Sequence, residues 1–184
     1  MKTEIRRINK EKRNLMAEDE VLQKSIAASE IFLSSLIYKN SKTLMLYMPL
    51  GNETDTTFII DTALKDGKTL VFPVTDKYTG RITPYCADAA TEFVKGNFSV
   101  QEPSKTKIAD VAEIDTVLVP GIAFDKYGNR VGFGKGCYDE FLKRADAVFV
   151  GFCYEFQVCD EIDADCYDVK MDFLVTEKGM SDCR

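Results

Sequence analysis

The stretch IDTVLVPGIAFDKYGNRVGFGKGCYDEFLKR (114–144) joins an apolar run to a glycine-rich segment and then to a helix-like run. Residues 114–121 are mostly apolar without alternation, which is typical of a strand buried in a parallel sheet. In CYDEFLKRA (137–145), apolar side chains recur at positions i, i+3 and i+4, which favours a helix. The glycines between strand and helix that fall within nine residues are Gly128, Gly132, Gly134 and Gly136. A strand, a glycine-rich turn and a helix in this order predict one unit of an α/β fold.

The same alternation of strand and helix extends along the chain. Further apolar runs, which we predict to be strands, lie at 43–50, 69–74, 147–152 and 172–176. Helical periodicity covers 2–16, 19–37 and most of 54–68, and shorter extended pieces fall near 81–86 and 93–100. We therefore predict a single α/β domain over residues 1–184. Its three layers are a mostly parallel, Rossmann-like sheet and helices on both faces.

Composition narrows the possible functions. The net charge is −6 and the pI is about 4.9, which argues against a nucleic-acid-binding protein with a broad basic face. Apolar runs are too short to span a bilayer, and the charged N-terminus MKTEIRRINKEKRNLM has no apolar signal region. We expect a cytoplasmic protein that binds neither nucleic acid nor membrane.

The chain contains no histidine, which removes Ser–His–Asp and Cys–His nucleophiles and His-ligated metal sites. Its six cysteines form no C-x-x-C pair, so we interpret them as small apolar side chains or ordinary thiols. Chemistry must then rest on Lys, Arg, Asp, Glu, Tyr and backbone amides.

The glycine segment carries the residue types of a phosphate site. Glycine permits close approach of the backbone to an anion, so that successive amide groups point inward. Lys135 adds a mobile charge and Arg130 a forked donor, while Asp139, in the first turn of the next helix, could hold magnesium. The alternative is a glycine-rich surface turn, but the position after a buried strand favours binding. The spacing matches neither a P-loop nor a dinucleotide fingerprint, so these residues predict a phosphate-binding loop for a nucleotide with magnesium.

Residues 119–142 also resemble the signature of the 5-formyltetrahydrofolate cyclo-ligase family, Pro-Gly-x-Ala-Phe-Asp followed by Gly-x-Arg-x-Gly-x-Gly-x-Gly-Tyr-Tyr-Asp. Lys2 and Arg6 match a Lys-x-x-x-Arg pair that contacts ATP in that family. Glu53, in PLGNETDT (49–56), matches a glutamate that contacts the folate. Asp172, in YDVKMDFLVTE (167–177), matches a magnesium-associated aspartate.

The resemblance implies ATP- and magnesium-dependent closure of 5-formyltetrahydrofolate to 5,10-methenyltetrahydrofolate, with release of ADP and phosphate through a phosphorylated formyl (iminium phosphate) intermediate. The implied catalytic residues are Arg130 and Lys135, and the implied metal ligands are Asp139 and Asp172. The implied ATP-binding residues are Lys2, Arg6, Arg130, Gly132, Phe133, Gly134, Lys135, Gly136, Cys137, Tyr138 and Asp139. The implied folate-binding residues are Met48, Glu53, Lys135, Gly136, Cys137 and Tyr138. We expect a monomer that takes folate with or without a polyglutamate tail.

Two departures from the family pattern keep other functions open. Cys137 stands where the first of two tyrosines is usual, and Tyr167 stands where many members have histidine. One alternative is therefore a non-catalytic protein that binds nucleotide or folate on the same fold. Another is a sugar-phosphate isomerase or transferase, which would need no ATP.

Several of these residues also have plain structural interpretations. Lys2 and Arg6 could be solvated helix charges, and Glu53 could complement the dipole of the helix that follows it. Tyr138 could pack in the core, and Asp125 could cap a turn.

Lys135→Ala tests the phosphate-binding loop directly. A cation that meets developing phosphoryl charge in a water-poor site contributes several kcal/mol. We expect kcat/KM to fall at least about a hundredfold, roughly 2.7 kcal/mol, in a steady-state assay. A folded variant with near wild-type activity would contradict the assignment.

Overall fold

The chain folds around a seven-stranded sheet, and the computed structural model describes residues 2–104 and 106–184. Within these residues the α-helices are α1 (Lys2–Asn14), α2 (Glu18–Ser34), α3 (Leu36–Asn40), α4 (Thr57–Lys65) and α5 (Cys137–Leu142). The strands are β1 (Thr43–Met45), β2 (Thr69–Thr75), β3 (Ile82–Ala87), β4 (Phe93–Lys95), β5 (Gln101–Pro103), β6 (Thr116–Val119), β7 (Ala123–Asp125), β8 (Arg130–Val131), β9 (Val148–Phe152), β10 (Val158–Cys159), β11 (Phe173–Thr176) and β12 (Gly179–Asp182).

The large sheet has the order β12-β11-β9-β6-β1-β2-β3. Its five inner strands are parallel, from β11 through β9, β6 and β1 to β2. The two edge strands, β12 and β3, pair antiparallel with their neighbours. All four residues of β6 are buried, as its continuous apolar run predicts for a central strand. The prediction of a mixed α/β fold with a mostly parallel sheet is confirmed.

Different elements cover the two faces of the sheet. On one face, α2, α3 and α4 contribute the buried residues Phe32, Tyr38 and Ile59 to a core with strand residues such as Leu44 and Leu118. On the other face, Phe141 and Leu142 of α5 pack with Phe124 of β7. The strand β7 belongs to a second sheet, ordered β10-β7-β8, which the sequence analysis did not predict. Helices lie on both faces, as predicted, but the second face is shared between a short helix and this small sheet.

The single helix predicted over 19–37 is interrupted at Ser35. This residue has an extended backbone (φ −70°, ψ 155°), and its hydroxyl accepts a hydrogen bond from the Tyr38 N–H. Serine is a favoured N-cap because its oxygen satisfies an unpaired amide of the first turn. The periodic pattern therefore covers two helices, α2 and α3.

The strand predicted over 43–50 pairs only from Thr43 to Met45. Beyond it, the Thr56 hydroxyl donates to the Tyr47 carbonyl at 2.6 Å, and the Tyr47 hydroxyl donates to the Thr54 carbonyl at 2.8 Å. These contacts fold residues 46–50 toward the segment before α4. Tyr47, Met48 and Leu50 therefore do not extend the strand. They line a cavity that is described below.

The turn between β7 and β8 is built on the carboxylate of Asp125, which is fully buried. Its Oδ1 accepts from the amides of Tyr127 and Asn129, and its Oδ2 accepts from the Asn129 side chain and the Ile162 amide. Gly128 completes the turn at φ +81°, where a side chain would collide with the Met171 carbonyl. The turn-capping interpretation of Asp125 is confirmed.

The structure also bears on two expectations from composition. Within the described residues, no helix has the length and apolar character needed to cross a membrane. All six thiols are free, with Cys153 buried and Cys166 exposed.

Asp125→Ala should destabilise the fold strongly. It leaves three buried or part-buried backbone amides without their acceptor, and each unsatisfied buried donor costs about 1–3 kcal/mol. We expect the free energy of unfolding to fall by about 3 kcal/mol or more, measured by urea denaturation.

Asp110→Ala is the matched control, because Asp110 is exposed and caps one short turn through the Ala112 amide at 3.0 Å. An equal effect of the two substitutions would contradict the role assigned to Asp125.

Candidate active site

A cavity of about 520 Å³ lies at the carboxyl edge of the parallel strands. The segments that follow β1 and β6, and the end of β2 itself, contribute to its walls, as expected for ligand sites in open α/β sheets. Its lining includes Lys2, Arg6, Met48, Glu53, Arg130, Gly132, Phe133, Gly134, Lys135, Gly136, Cys137, Tyr138 and Asp139. The fold therefore brings thirteen of the fourteen predicted site residues to one cavity.

The glycine segment forms one wall of this cavity. Gly134 has φ +100° and Gly136 has φ +66°, conformations that residues with a Cβ rarely adopt. Gly136 is the N-cap of α5, so the loop leads directly into the helix. The helix ends at Leu142, three residues before the predicted end.

Helix α1 lies against this loop and brings two cations into the cavity lining. Arg6 Nε donates to the Gly132 carbonyl at 2.9 Å. Lys2 Nζ contacts Asp165 at 2.6 Å and Asp168 at 2.7 Å. Partial burial by itself lowers the pKa of Lys2, but its hydrogen bonds to the two carboxylates outweigh this effect, so the pKa is raised. Both cations are held in place by contacts and are not merely solvated helix charges.

Arg130 is held at the base of the loop. It is 8% exposed; its NH2 donates to Asp139 Oδ1 at 3.0 Å, and its NH1 donates to the Pro120 carbonyl at 3.3 Å. The same Asp139 oxygen accepts from the Val169 amide at 3.3 Å. Asp139 thus orients Arg130 toward the cavity.

Lys135, between Gly134 and Gly136, also lines the cavity. Its side chain is exposed, and Nζ lies 3.7 Å from the ring centroid of Phe98. Within the described residues no carboxylate lies within ion-pair distance of Lys135. Its charge is therefore available to an anionic ligand that replaces the contact with Phe98.

Glu53 provides a buried carboxylate in the same cavity. It is 7% exposed, and its Oε2 accepts from the Leu50 amide at 2.9 Å. Burial raises the pKa of Glu53, while the Leu50 amide and the Arg13 cation act in the opposite direction. Burial also raises the pKa of Tyr138, and the Glu53 charge adds to this rise, so the phenol stays neutral. This part of the cavity offers a carboxylate acceptor and a phenol.

Comparisons with known proteins identify the family of this chain. The family model described as the 5-formyltetrahydrofolate cyclo-ligase family matches residues 1–177. This chain belongs to that family. The predicted resemblance to this family and the predicted enzyme class, a cyclo-ligase, are confirmed.

Individual cyclo-ligase relatives match along nearly the whole chain. The 5-formyltetrahydrofolate cyclo-ligase of Mus musculus is 27% identical over 92% of this chain and 95% of its own. That of Haemophilus influenzae is 28% identical over 95% of each chain. The NMR structure of 5,10-methenyltetrahydrofolate synthetase from Aquifex aeolicus superposes with a TM-score of 0.89 at 34% identity and covers 100% of this chain and 93% of its own.

One predicted site residue of this cyclo-ligase family member lies elsewhere. Asp172 precedes β11, at the amino end of that strand, and its Oδ2 accepts from the Phe149 amide at 2.8 Å. It is not part of the cavity lining. The structure does not bring Asp172 together with Asp139, since the parallel strands point their carboxyl ends toward the cavity and Asp172 lies at the other edge of the sheet. Magnesium ligation by Asp172 stays a prediction.

Sequence reasoning also missed part of the cavity wall. The segment between β4 and β5 contributes Asn97 and Phe98, and β5 contributes Glu102. Phe98 has φ +57° without being glycine, so no composition signal marks this turn. Thr75, at the end of β2, could have been predicted from the sequence. Ligands of open α/β sheets bind at the carboxyl ends of the parallel strands, and β2 is one of these strands.

Proposed function

We propose that this chain catalyses the ATP- and magnesium-dependent cyclisation of 5-formyltetrahydrofolate to 5,10-methenyltetrahydrofolate, with release of ADP and phosphate. The observation that carries the proposal is the single cavity that joins the glycine loop and its cations to the buried Glu53. Family membership supports the same reaction.

The chemistry explains the residue types. A formyl oxygen is a poor leaving group, so it first attacks the γ-phosphorus of ATP and displaces ADP. N10 of the folate then attacks the activated formyl carbon, the carbon–oxygen bond breaks with release of phosphate, and the N10 proton is lost to solvent. Phosphoryl transfer requires chiefly positioning and charge neutralisation. No histidine is needed.

The cations differ in mobility, which suits them to different tasks in phosphoryl transfer. Arg130 is fixed by Asp139 and Pro120, which suits a donor that orients a phosphate. Lys135 is exposed, and within the described residues it forms no ion pair and its Nζ lies over the Phe98 ring, so it can move with the transferred phosphoryl group. Arg6 and Lys2, held by α1, supply further positive charge where the nucleotide binds.

Magnesium fits this cavity through Asp139. One oxygen of Asp139 is bonded to Arg130 and Val169, and within the described residues the other accepts no hydrogen bond. Magnesium sites at phosphates commonly use one or two carboxylates and leave the other positions to phosphate oxygens and water. The described residues contain no cluster of three or more candidate metal-ligating side chains, so Asp139 is the side chain that would hold the ion. When bound, the ion would neutralise phosphate charge.

The folate end of the site is proposed to lie at Glu53. The aminopyrimidinone ring of a folate carries N–H donors, and a buried carboxylate is a strong acceptor for them. Met48, Cys137 and the neutral Tyr138 line the adjacent wall. A cytoplasmic location, a monomeric state and acceptance of polyglutamate tails stay predictions from the sequence.

The decisive experiment follows the absorbance of methenyltetrahydrofolate formed from 5-formyltetrahydrofolate, with and without ATP and magnesium. We expect product only when both are present, with one ADP per product. Nucleotide or folate binding without turnover would favour the non-catalytic alternative, and ATP-independent conversion of a sugar phosphate would favour the isomerase or transferase.

Glu53→Gln should raise the KM for the folate more than the KM for ATP. The amide keeps the size of the side chain but loses the charge and one acceptor. Initial rates with each substrate varied in turn measure both constants. If only the KM for ATP rises, the two halves of the cavity have been assigned the wrong way round.

Asp139→Asn should move the magnesium requirement to higher concentration. We expect activity to fall at low magnesium and to recover partly at high magnesium. Because Asp139 also pairs with the buried Arg130 at 3.0 Å, the Tm of the ligand-free protein should fall as well, and the titration is run at a temperature where the variant is folded. A carboxylate that merely complements the helix dipole contributes about 0.3–1 kcal/mol of stability and leaves the magnesium curve unchanged.

Glu140→Gln is the matched control, since Glu140 is in the same turn and pairs with Lys143 at 3.0 Å. An unshifted magnesium titration in folded Asp139→Asn, equal to that of the control, would refute ligation.

A further inference from the structure

Arg13 is a buried cation beside the cavity with few partners. It is 8% exposed, and within the described residues its Nε has no hydrogen-bond partner. Its NH1 lies 3.7 Å from Glu53 Oε1, which is close enough for charge attraction and too long for a good hydrogen bond. Burial of a guanidinium with spare donors is unfavourable, so stability alone does not account for this residue.

Two residues of the cavity lining contact Arg13, although Arg13 does not line the cavity itself. One is Glu53, and the other is Phe133, whose ring centroid lies 5.7 Å from the Arg13 guanidinium carbon. The side chain next to Glu53 supports the same arrangement. Asn52 Nδ2 donates to the Arg13 carbonyl at 2.9 Å and to the Met16 carbonyl at 3.1 Å. The end of α1 is thereby tied to the loop that carries Glu53.

Charged and titratable groups reach Glu53 from several elements. Tyr47 follows β1, Tyr138 lies on α5, and the Tyr154 hydroxyl donates to the Glu53 main-chain carbonyl at 3.1 Å. The phenols of Tyr47 and Tyr138 have pKa values raised by burial and are neutral. Arg13 is the cation that opposes the effect of burial on the pKa of Glu53.

We propose that Arg13 is a positioning residue for the cyclo-ligase reaction, which holds Glu53 as an oriented carboxylate for the folate and connects it through Phe133 to the glycine loop. This role rests on the proposed function, because it assigns a task to the folate end of the same cavity. Arg13 acts through its neighbours and does not touch the substrate.

The role predicts a specific pH dependence. Removal of a cation near a carboxylate raises the carboxyl pKa by about one to three units. In Arg13→Met, Glu53 should therefore become protonated at a higher pH than in the wild type. Folate binding that needs the carboxylate is then lost as the pH falls through this higher value. The acid limb of folate affinity should move up by roughly one pH unit or more, while the pH dependence of the Kd for ATP stays unshifted.

The experiment measures the Kd for 5-formyltetrahydrofolate against pH in four variants. Arg13→Met should show the shifted limb, and Arg13→Lys should restore it in part because the charge returns. Arg13→Met in a Glu53→Gln background should add little, since no carboxylate remains to be held. Arg7→Met is the matched control, because Arg7 lies on the same helix, is exposed and pairs with Glu4 and Glu11.

A second readout needs no activity. Carbon-13 NMR of labelled glutamate carboxyls, with the Glu53 signal assigned by its loss in Glu53→Gln, gives the carboxyl pKa directly. An unshifted Glu53 signal in folded Arg13→Met, or in Arg13→Gln if the Met variant does not fold, would overturn the proposal. A wild-type protein that binds no folate while Glu53 still shifts would sink the proposed function and leave the Arg13–Glu53 coupling in place.

Discussion

The parallel arrangement of β1, β2 and β6 is the constraint on which the site depends. Parallel strands all end at one edge of the sheet, so the segments that follow them must meet there. Because these strands are buried on both faces, their register is strongly specified by the two apolar cores. The glycine loop, Glu53 and the end of β2 are far apart in sequence and converge at this edge of the sheet.

Electrostatics within the cavity are uneven although the whole chain is acidic. The net charge is −6, and the cavity lining holds the cations Lys2, Arg6, Arg130 and Lys135 together with the carboxylates Glu53, Glu102, Asp139, Asp165 and Asp168. Two of these cations arrive on α1, which packs against the glycine loop through the contact between Arg6 and the Gly132 carbonyl. Lys2 and Arg130 are paired with carboxylates of the same lining. Within the described residues, Arg6 and Lys135 are the lining cations without an ion pair, and they supply positive charge where phosphates are proposed to bind.

At Glu53, burial controls the charge of the cavity. Glu53 is enclosed among aromatic and apolar side chains, so its protonation state depends on a small number of neighbours, chiefly the Leu50 amide and Arg13. A buried carboxylate binds a complementary donor strongly because water does not compete. The same burial makes its charge sensitive to a single cation. Specificity at the folate end would then depend on α1 as well as on the loop that carries Glu53.

The sequence by itself determined the strand–loop–helix order and the parallel sheet, since buried strands and positive-φ glycines leave local patterns. With the family resemblance it also indicated thirteen residues that line the cavity. It missed the break at Ser35 and the small sheet, because a cap within a periodic pattern and strands of two or three residues carry weak local signals. It placed Asp172 in the site through a motif, and only the tertiary structure showed that this carboxylate faces the amino edge of the sheet. The pairing of Arg13 with Glu53, forty residues later in the chain, was also decided by tertiary packing, because the distance between side chains on different elements depends on how those elements dock.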